Sequence, residues 1–274
     1  MFNIGSGKKL TLDGVTLVGV DDNDSSLVVV GEGGELVLLS GAITGNIRIC
    51  EDWAGGGGVN VSRGTFTMSG GVISVNSTIG TRISNSGGVH VSGGSVFTMS
   101  GGAISGNTIT GGTDGSSGGG VYVGGDSTFT MSGGEISGNS IIGRGSAGGV
   151  VLFDSSIFTM SGGTISGNTA GSGGGVQVNG GSFTMKGGVI SGNTAELGGG
   201  VIVTQWGTFT MEGGTIYGTS AEGGNANTTG ALWVQTTDVA KWGTGGTYTR
   251  GGVNQSGGGN IASTNDTLIA IPAR

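Results

Sequence analysis

Side chains that could carry out acid–base or metal chemistry are few and scattered in this sequence. The chain of 274 residues has one histidine, His90, and one cysteine, Cys50, so the pattern predicts no transition-metal site. Glycoside hydrolysis requires two carboxylates at a defined separation. Five acidic residues of the regular region each fall at a different position of the repeat, which predicts a protein that is not an enzyme and has no cofactor: Asp126, Glu135, Asp154, Glu196 and Glu212.

Mixed polar and aromatic side chains recur at the middle of a V-x-V element. If V-x-V is a strand with its valines inward, the middle residue points outward. Such a column on a sheet can bind a sugar or a protein, although an ordinary varied surface fits the pattern equally well. The candidate partner-binding residues are four members of this column and one tryptophan of a neighbouring insertion: His90, Tyr122, Gln177, Trp233 and Trp53.

Threonine recurs at two outward positions of a second element, F-T-M. A regular grid of hydroxyl and methyl groups is a candidate ice-binding face, but threonine is also a common outward residue of ordinary strands. Val96 and Ile157 interrupt one of the two columns. The candidate ice-binding residues are Thr65, Thr67, Thr98, Thr128, Thr130, Thr159, Thr184, Thr208 and Thr210.

Asparagine recurs at the end of a third element, I-S-G-N. Stacked asparagines in a turn can bond to one another and to the backbone, so these residues are expected to form a structural ladder, with Thr219 replacing asparagine in the following copy. The ladder residues are Asn46, Asn76, Asn107, Asn139, Asn168 and Asn193.

These positions belong to one repeat that recurs almost from end to end. The phenylalanine of F-T-M returns at steps of 25 to 32 residues, with Leu10, Leu36 and Tyr248 at the equivalent place in diverged copies. Each copy contains three short segments of period two, which is the strand signature, separated by Gly, Ser and Asn. Three strands in about 25 residues predict one coil of a parallel β-helix, an all-β solenoid of roughly nine coils with columns of Phe, Met, Ile and Val inside.

Repeat length varies at one corner only, between the asparagine and the next V-x-V, which predicts a ridge of stacked loops there. The whole chain, 1–274, is interpreted as one domain. Residues 1–46 form diverged first coils, 47–219 the regular repeats (beginning with an insertion at 47–56), and 220–274 an irregular last coil and cap.

Composition excludes several classes of partner. The net charge is −7 and no basic run is present, which argues against nucleic acid as a ligand. No stretch of about 18 apolar residues occurs, so no membrane span is expected. The start of the chain carries no recognisable signal peptide, and its first residues already look like a strand; the sequence is therefore expected to be a fragment of an exported protein.

The unit G-G-G-V-x-V…F-T-M-S-G-G-x-I-S-G-N resembles repeats of large bacterial surface and secreted proteins described as right-handed β-helix or adhesin-like. Gly101–Ile104 also matches the G-G-A-I element of polymorphic outer-membrane proteins, whose F-x-x-N element is absent here. The resemblance implies right-handed coils and an extracellular or cell-surface location, with an unidentified glycan or protein as partner. The T-x-T pattern resembles the ice-binding face of β-helical antifreeze proteins, which gives an alternative function. The third candidate function is binding or cleavage of a polysaccharide.

Overall fold

The first sheet of the protein contains the V-x-V segments. The structure, a computed structural model, describes residues 1–50, 55–80, 83–111, 115–143, 145–234, 239–242, 247–250, 253–256, 259–260 and 268–271. Nine strands pair in parallel, one from each coil, in chain order. Their bounds are Phe2–Ile4, Val28–Val30, Val59–Ser62, Val89–Ser92, Val121–Val123, Val150–Leu152, Val176–Asn179, Val201–Thr204 and Leu232–Val234.

The F-T-M and G-G-x-I-S segments form the other two sides of the solenoid, and two long strands join them into one sheet of 19 strands. The F-T-M side consists of Lys9–Leu12, Glu35–Leu38, Thr65–Met68, Val96–Met99, Thr128–Met131, Ile157–Met160, Ser182–Ser191, Thr208–Ile216 and Val239–Trp242. The third side consists of Val15–Val18, Gly41–Thr44, Val72–Ser74, Ala103–Ser105, Glu135–Ser137 and Thr164–Ser166, and continues into the two long strands. The prediction of an all-β parallel solenoid is confirmed.

The core is a set of columns of identical side chains. The register pairs Phe97 with Phe129 and Met99 with Met131, and the phenylalanines of the six F-T-M segments are fully buried. Neighbouring rings stack with centroids 4.6 to 5.1 Å apart, which is the spacing of adjacent strands. Each coil therefore covers the apolar face of the next.

The glycine pair after F-T-M is required by this packing. Gly134 has φ +86°, and a Cβ placed on it would lie 2.7 Å from the methyl carbon of Met99 in the preceding coil. The same relation recurs at Gly102, Gly163, Gly188 and Gly214. Only glycine combines the left-handed backbone with room for the methionine methyl group.

In the corner predicted to be a ridge of loops, the described residues form two small parallel sheets. The four-stranded lateral sheet contains Ile47–Cys50, Ser77–Gly80, Thr108–Gly111 and Ser140–Ile142. The three-stranded lateral sheet contains Ile83–Asn85, Gly115–Ser117 and Gly145–Ser146. Residues 47–50, interpreted from sequence as part of an insertion, pair in register with residues 77–80. Ile109 and Ile141 of the four-stranded lateral sheet form a small buried apolar cluster with Ala170.

The assignment of Tyr248 to the phenylalanine position of the ninth coil is wrong. Ala240 pairs with Phe209, and Trp242 pairs with Met211. From Val234 to Ala240 is the same six-residue step as from Val203 to Phe209, so coil geometry decides the register. Of the tail strands Thr247–Arg250, Val253–Ser256, Gly259–Asn260 and Leu268–Ile271, the last runs antiparallel to Gly214–Ile216 at the end of the solenoid.

Candidate functional site

The outward column of the first sheet is covered in four consecutive coils, from Tyr122 to Ile202. The register follows the predicted order from Asn60 through His90 and Tyr122 to Gln177 and Trp233. The chain that returns from the lateral corner crosses this column. A Cβ on Gly173 would lie 2.8 Å from Cβ of Gln177, and the hydroxyl of Ser172 donates to Oε1 of Gln177 at 2.8 Å.

Two of the five candidate partner-binding residues, Tyr122 and Gln177, therefore do not present an open surface. Tyr122 and Gln177 are buried, whereas His90 and Trp233 are half-buried. Trp53 lies outside the described residues. The sequence showed which side chains point out of the sheet, but the path of the variable corner across them left no signal in the repeat.

An aromatic stack occupies the middle of the column. The ring of His90 lies parallel to that of Tyr122 with centroids 4.5 Å apart, and Tyr122 stacks on Phe153 at 5.5 Å. Burial, and secondarily the charge of Arg48, lowers the pKa of His90 to about 4. Burial, with the nearby Asp154 carboxylate second, raises the pKa of Tyr122 to about 12. Both groups are therefore neutral at pH 7, and the stack is a packing element.

The threonine columns lie on the outer face of the F-T-M side, where the sequence placed them. Thr67, Thr98, Thr130, Thr159, Thr184 and Thr210 form one continuous half-exposed column. The second column runs through Thr65, Val96, Thr128, Ile157, Ser182 and Thr208. Val96 and Ile157 are 43% and 48% exposed and interrupt the hydroxyl grid.

The asparagines form a buried hydrogen-bonded ladder. Asn76 donates its backbone N–H and its Nδ2 to Oδ1 of Asn107, at 3.1 and 3.0 Å, and its Nδ2 also donates to the carbonyl of Ile43. The pattern repeats upward to Asn193, which donates to Asn227. Asn227, and not Thr219 as expected, is thus the next rung; Thr219 is exposed in a turn.

The corner between the first sheet and the F-T-M side contains residues that sequence reasoning missed. Gln205 and Trp206 have φ of 50° and 63°, and the N–H of Gly207 donates to the carbonyl of Thr204 at 3.0 Å. This is a type I′ turn, a conformation that favours Asn and Gly. Trp206 is 82% exposed. The available signal was a bulky Gln-Trp pair where most other coils have Gly, Asp or Ser.

Among the described residues, no group of three or more His, Cys, Asp or Glu side chains is placed to hold a metal ion. The described ranges also contain no helix with the length and apolarity of a membrane span.

Comparison with known proteins identifies the family of the chain. A family model described as right-handed β-helix region matches residues 52–268, which confirms the predicted hand of the coils. No curated protein matches the chain, and no solved structure does.

Proposed function

The chain belongs to the right-handed β-helix family, and from that premise we propose that it is a non-enzymatic, extracellular or cell-surface binding rod of the adhesin type. The observation that carries the proposal is a contrast between interior and surface. The buried columns repeat one residue type from coil to coil, Phe over Phe and Asn over Asn. The turns at the corner before F-T-M change chemistry at nearly every coil. A core that repeats from coil to coil supports turns whose side chains differ from coil to coil, and such surface turns can bind a partner.

The absence of enzymatic activity is part of the proposal, because right-handed β-helix domains occur in enzymes and in non-enzymes. Asp126 and Asp154 are exposed and lie on adjacent corner turns, where the N–H of Asp126 donates to the carbonyl of Asp154 at 3.0 Å. They occupy different positions of their turns. Asp126 is the second of the two residues with positive φ in its turn, after Gly125, whereas Asp154 is the first of the two in its turn, before Ser155. Catalytic carboxylates require a fixed separation and a supporting shell, whereas these two stand on exposed turn tips.

A binding and turnover panel tests the proposal. Immobilised protein is exposed to neutral and acidic polysaccharides and to extracellular matrix proteins, and the same polysaccharides are incubated with soluble protein to measure release of reducing ends. We expect saturable binding to at least one partner and no release. Sustained release of reducing ends, or no binding to any member of the panel, would overturn the proposal.

A second candidate function, ice binding, is favoured by one specific observation. The threonine column from Thr67 to Thr210 continues through six consecutive coils in unbroken register. Thr130→Tyr places a bulky ring in the middle of that column, whereas Thr169→Tyr makes the same change at an exposed threonine of the lateral corner. If the column binds ice, wild type and Thr169→Tyr show thermal hysteresis and faceted crystals, and Thr130→Tyr does not. If ice crystals grown with wild-type protein are round, ice binding is ruled out.

A further inference from the structure

The two ends of the solenoid differ in whether their strands are covered. At the far end, Leu268–Ile271 runs antiparallel to residues 214–216, and the side chain of Leu268 is fully buried. At the near end, the strands of the first coil pair with the second coil along one edge, and no strand of the described part of the chain lies on their other edge. We call this surface the open end; its strands are Phe2–Ile4, Lys9–Leu12 and Val15–Val18.

The open end exposes apolar surface beside its unpaired strand edges. Phe2, Val15, Val18 and Val20 are all exposed there. A cavity of about 180 Å³ opens between the first two strands and is lined by Phe2, Asn3, Ile4, Lys8, Lys9 and Leu10. An unpaired strand edge is a template for pairing with another chain. The surface therefore suits a partner that adds strands to the open end and covers its apolar side chains.

Asn3 is the residue through which the first strand can pair. The N–H of Phe2 donates to the carbonyl of Leu27, and the carbonyl of Ile4 accepts from the N–H of Gly31. Alternate residues of a parallel strand bond to opposite neighbours, so the backbone N–H and C=O of Asn3 both point away from the second coil. Two such strands in antiparallel contact would exchange both hydrogen bonds between their Asn3 residues, with a two-fold axis passing between them.

The same two-fold axis pairs the other two sides of the open end with each other. The axis lies perpendicular to the rod, so it places Lys9–Leu12 of one copy over Val15–Val18 of the other, again antiparallel. Every edge of both open ends is then paired, and the exposed valines are covered. Asp13, at the corner on the axis, meets its own copy, but its carboxylate accepts from the hydroxyl of Ser40 in the second coil at 2.6 Å and is therefore turned away from the contact.

The charged corners of the open end are complementary under this symmetry. Lys8 and Lys9, both exposed, stand at the corner that follows the end of the first strand. Val28 pairs with Phe2, so residues 19–27 lead to the start of that strand. This second corner carries three exposed carboxylates: Asp21, Asp22 and Asp24. Antiparallel contact sets the start of one strand against the end of the other, and each basic corner therefore faces the acidic corner of the other copy.

We propose that the open end binds a second copy of this chain, head to head across this two-fold axis. The contact is isologous, because each copy supplies the same strand edges, the same basic corner and the same acidic corner. The open end is one triangle of strands of three or four residues, which is small for a protein interface, so we expect a reversible dimer with a Kd in the micromolar range. This inference goes beyond the proposed binding function and does not depend on it.

The first test is the oligomeric state of the whole chain, measured by sedimentation over a wide range of protein concentrations without any partner present. The mass of wild type should rise from monomer to dimer and no further. Asn3→Pro removes the N–H that points to the open edge; proline is tolerated on an edge strand, so its Tm should stay close to that of wild type. Its dimer Kd should rise at least about tenfold through loss of the central hydrogen bonds. Asn3→Ala keeps the N–H and should dimerise within a few-fold of wild type.

A charge-exchange experiment tests the arrangement of the corners. Lys8→Glu and Asp21→Lys each place like charges opposite one another in a homodimer, so each protein alone should dimerise about tenfold more weakly than wild type. In an equimolar mixture, the new carboxylate at position 8 faces the new ammonium group at position 21, and the remaining Lys8 faces the remaining Asp21. The mixture should therefore form a heterodimer with an affinity close to that of wild type, as measured by sedimentation with one of the two proteins fluorescently labelled.

The outcomes are distinct. A wild type that stays monomeric at every concentration would overturn the proposal and leave a different chain as the occupant of the open end. Growth beyond the dimer would also overturn it, because an isologous contact closes after two copies. A folded Asn3→Pro that dimerises as well as Asn3→Ala, or a mixture that associates no more tightly than its separate components, would place the contact on another surface. None of these results changes the test of the proposed function, since the binding and turnover panel measures a different property.

Discussion

Asn107 donates both its backbone N–H and its Nδ2 to a single acceptor, Oδ1 of Asn139, at 3.0 and 2.9 Å. The Nδ2 of Asn139 in turn donates to the carbonyl of Ile104 and to Oδ1 of Asn168. Each asparagine thus supplies hydrogen bonds to the coil on either side of it. The ladder runs through a fully buried corner, where an unpaired polar group is costly.

Removing one rung should therefore cost more than one hydrogen bond. Asn139→Ala removes the acceptor of the Asn107 backbone N–H, one of the two acceptors of the Asn107 Nδ2, and the side-chain donor to the carbonyl of Ile104. We therefore expect a loss of about 3 kcal/mol or more of unfolding free energy. Chemical denaturation followed by circular dichroism measures it. Thr219→Ala, at the exposed residue that sequence spacing placed in the ladder, should be neutral. Comparable losses in the two variants would contradict the ladder as described.

The sequence was sufficient to predict the parts of the fold in which identical side chains stack in successive coils. Phe97 over Phe129 and Asn107 over Asn139 follow from a constant core with a constant offset. It was insufficient where the coil path changes. Asn227 enters the ladder after a long, divergent turn, and Ala240 replaces phenylalanine without resembling it.

The binding surface was harder to predict than the core for a physical reason. Whether His90 is exposed depends on where the variable corner runs, and that path is set by contacts outside the repeat. Trp206 escaped notice because it belongs to a turn, where no periodicity exists to mark an unusual residue. Its identity becomes informative only when φ of 63° and exposure of 82% are known.

Val75 is expected to be a destabilising residue of the wild-type chain. It has φ of 57° and occupies the place before the ladder asparagine that is glycine in other coils, such as Gly106 and Gly138. Its side chain is 66% exposed, so truncation sacrifices little packing. Because a β-branched residue is disfavoured in the left-handed region, Val75→Gly should raise the unfolding free energy by about 1 kcal/mol.

The reciprocal change isolates the backbone effect. A Cβ on Gly106 would meet no atom within 4 Å, and its φ is +61°. Gly106→Val should therefore destabilise the protein through backbone strain alone, by an amount similar to the gain in Val75→Gly. Thermal melts of both variants against wild type provide the comparison, and a lower Tm in Val75→Gly would refute the assignment of strain.

Gly134 should tolerate no side chain. A Cβ there would lie 2.7 Å from Cε of Met99 and 2.8 Å from the carbonyl oxygen of Gly102. Overpacking and the positive φ act together, so Gly134→Ala should cost about 2 kcal/mol or more. Gly5→Ala serves as the control, because no atom lies within 4 Å of a Cβ there and its backbone is not left-handed. Denaturant midpoints that shift equally in the two variants would show that the methionine contact is not limiting.

His90 should make the stability of the rod sensitive to acid. Its pKa is about 4 in the folded protein, mainly because of burial, against 6.5 for the ordinary group. Between these two values the unfolded chain binds more protons than the folded one, so the contribution of His90 to stability is full above about pH 6.5 and is lost as the pH falls towards 4. His90→Phe keeps a ring against Tyr122 and removes both the proton and the buried, unpartnered Nδ1.

The measurement is the difference in Tm between His90→Phe and wild type from pH 8 to pH 4. Protonation of the carboxylates affects both proteins and cancels in the difference, so only the histidine contributes to its pH dependence. We expect the variant's advantage to be constant above pH 7 and to grow steadily below pH 6.5. A difference that stays flat across this range would mean that His90 takes up its proton as readily in the folded chain as in the unfolded one, and that the aromatic stack is open to water.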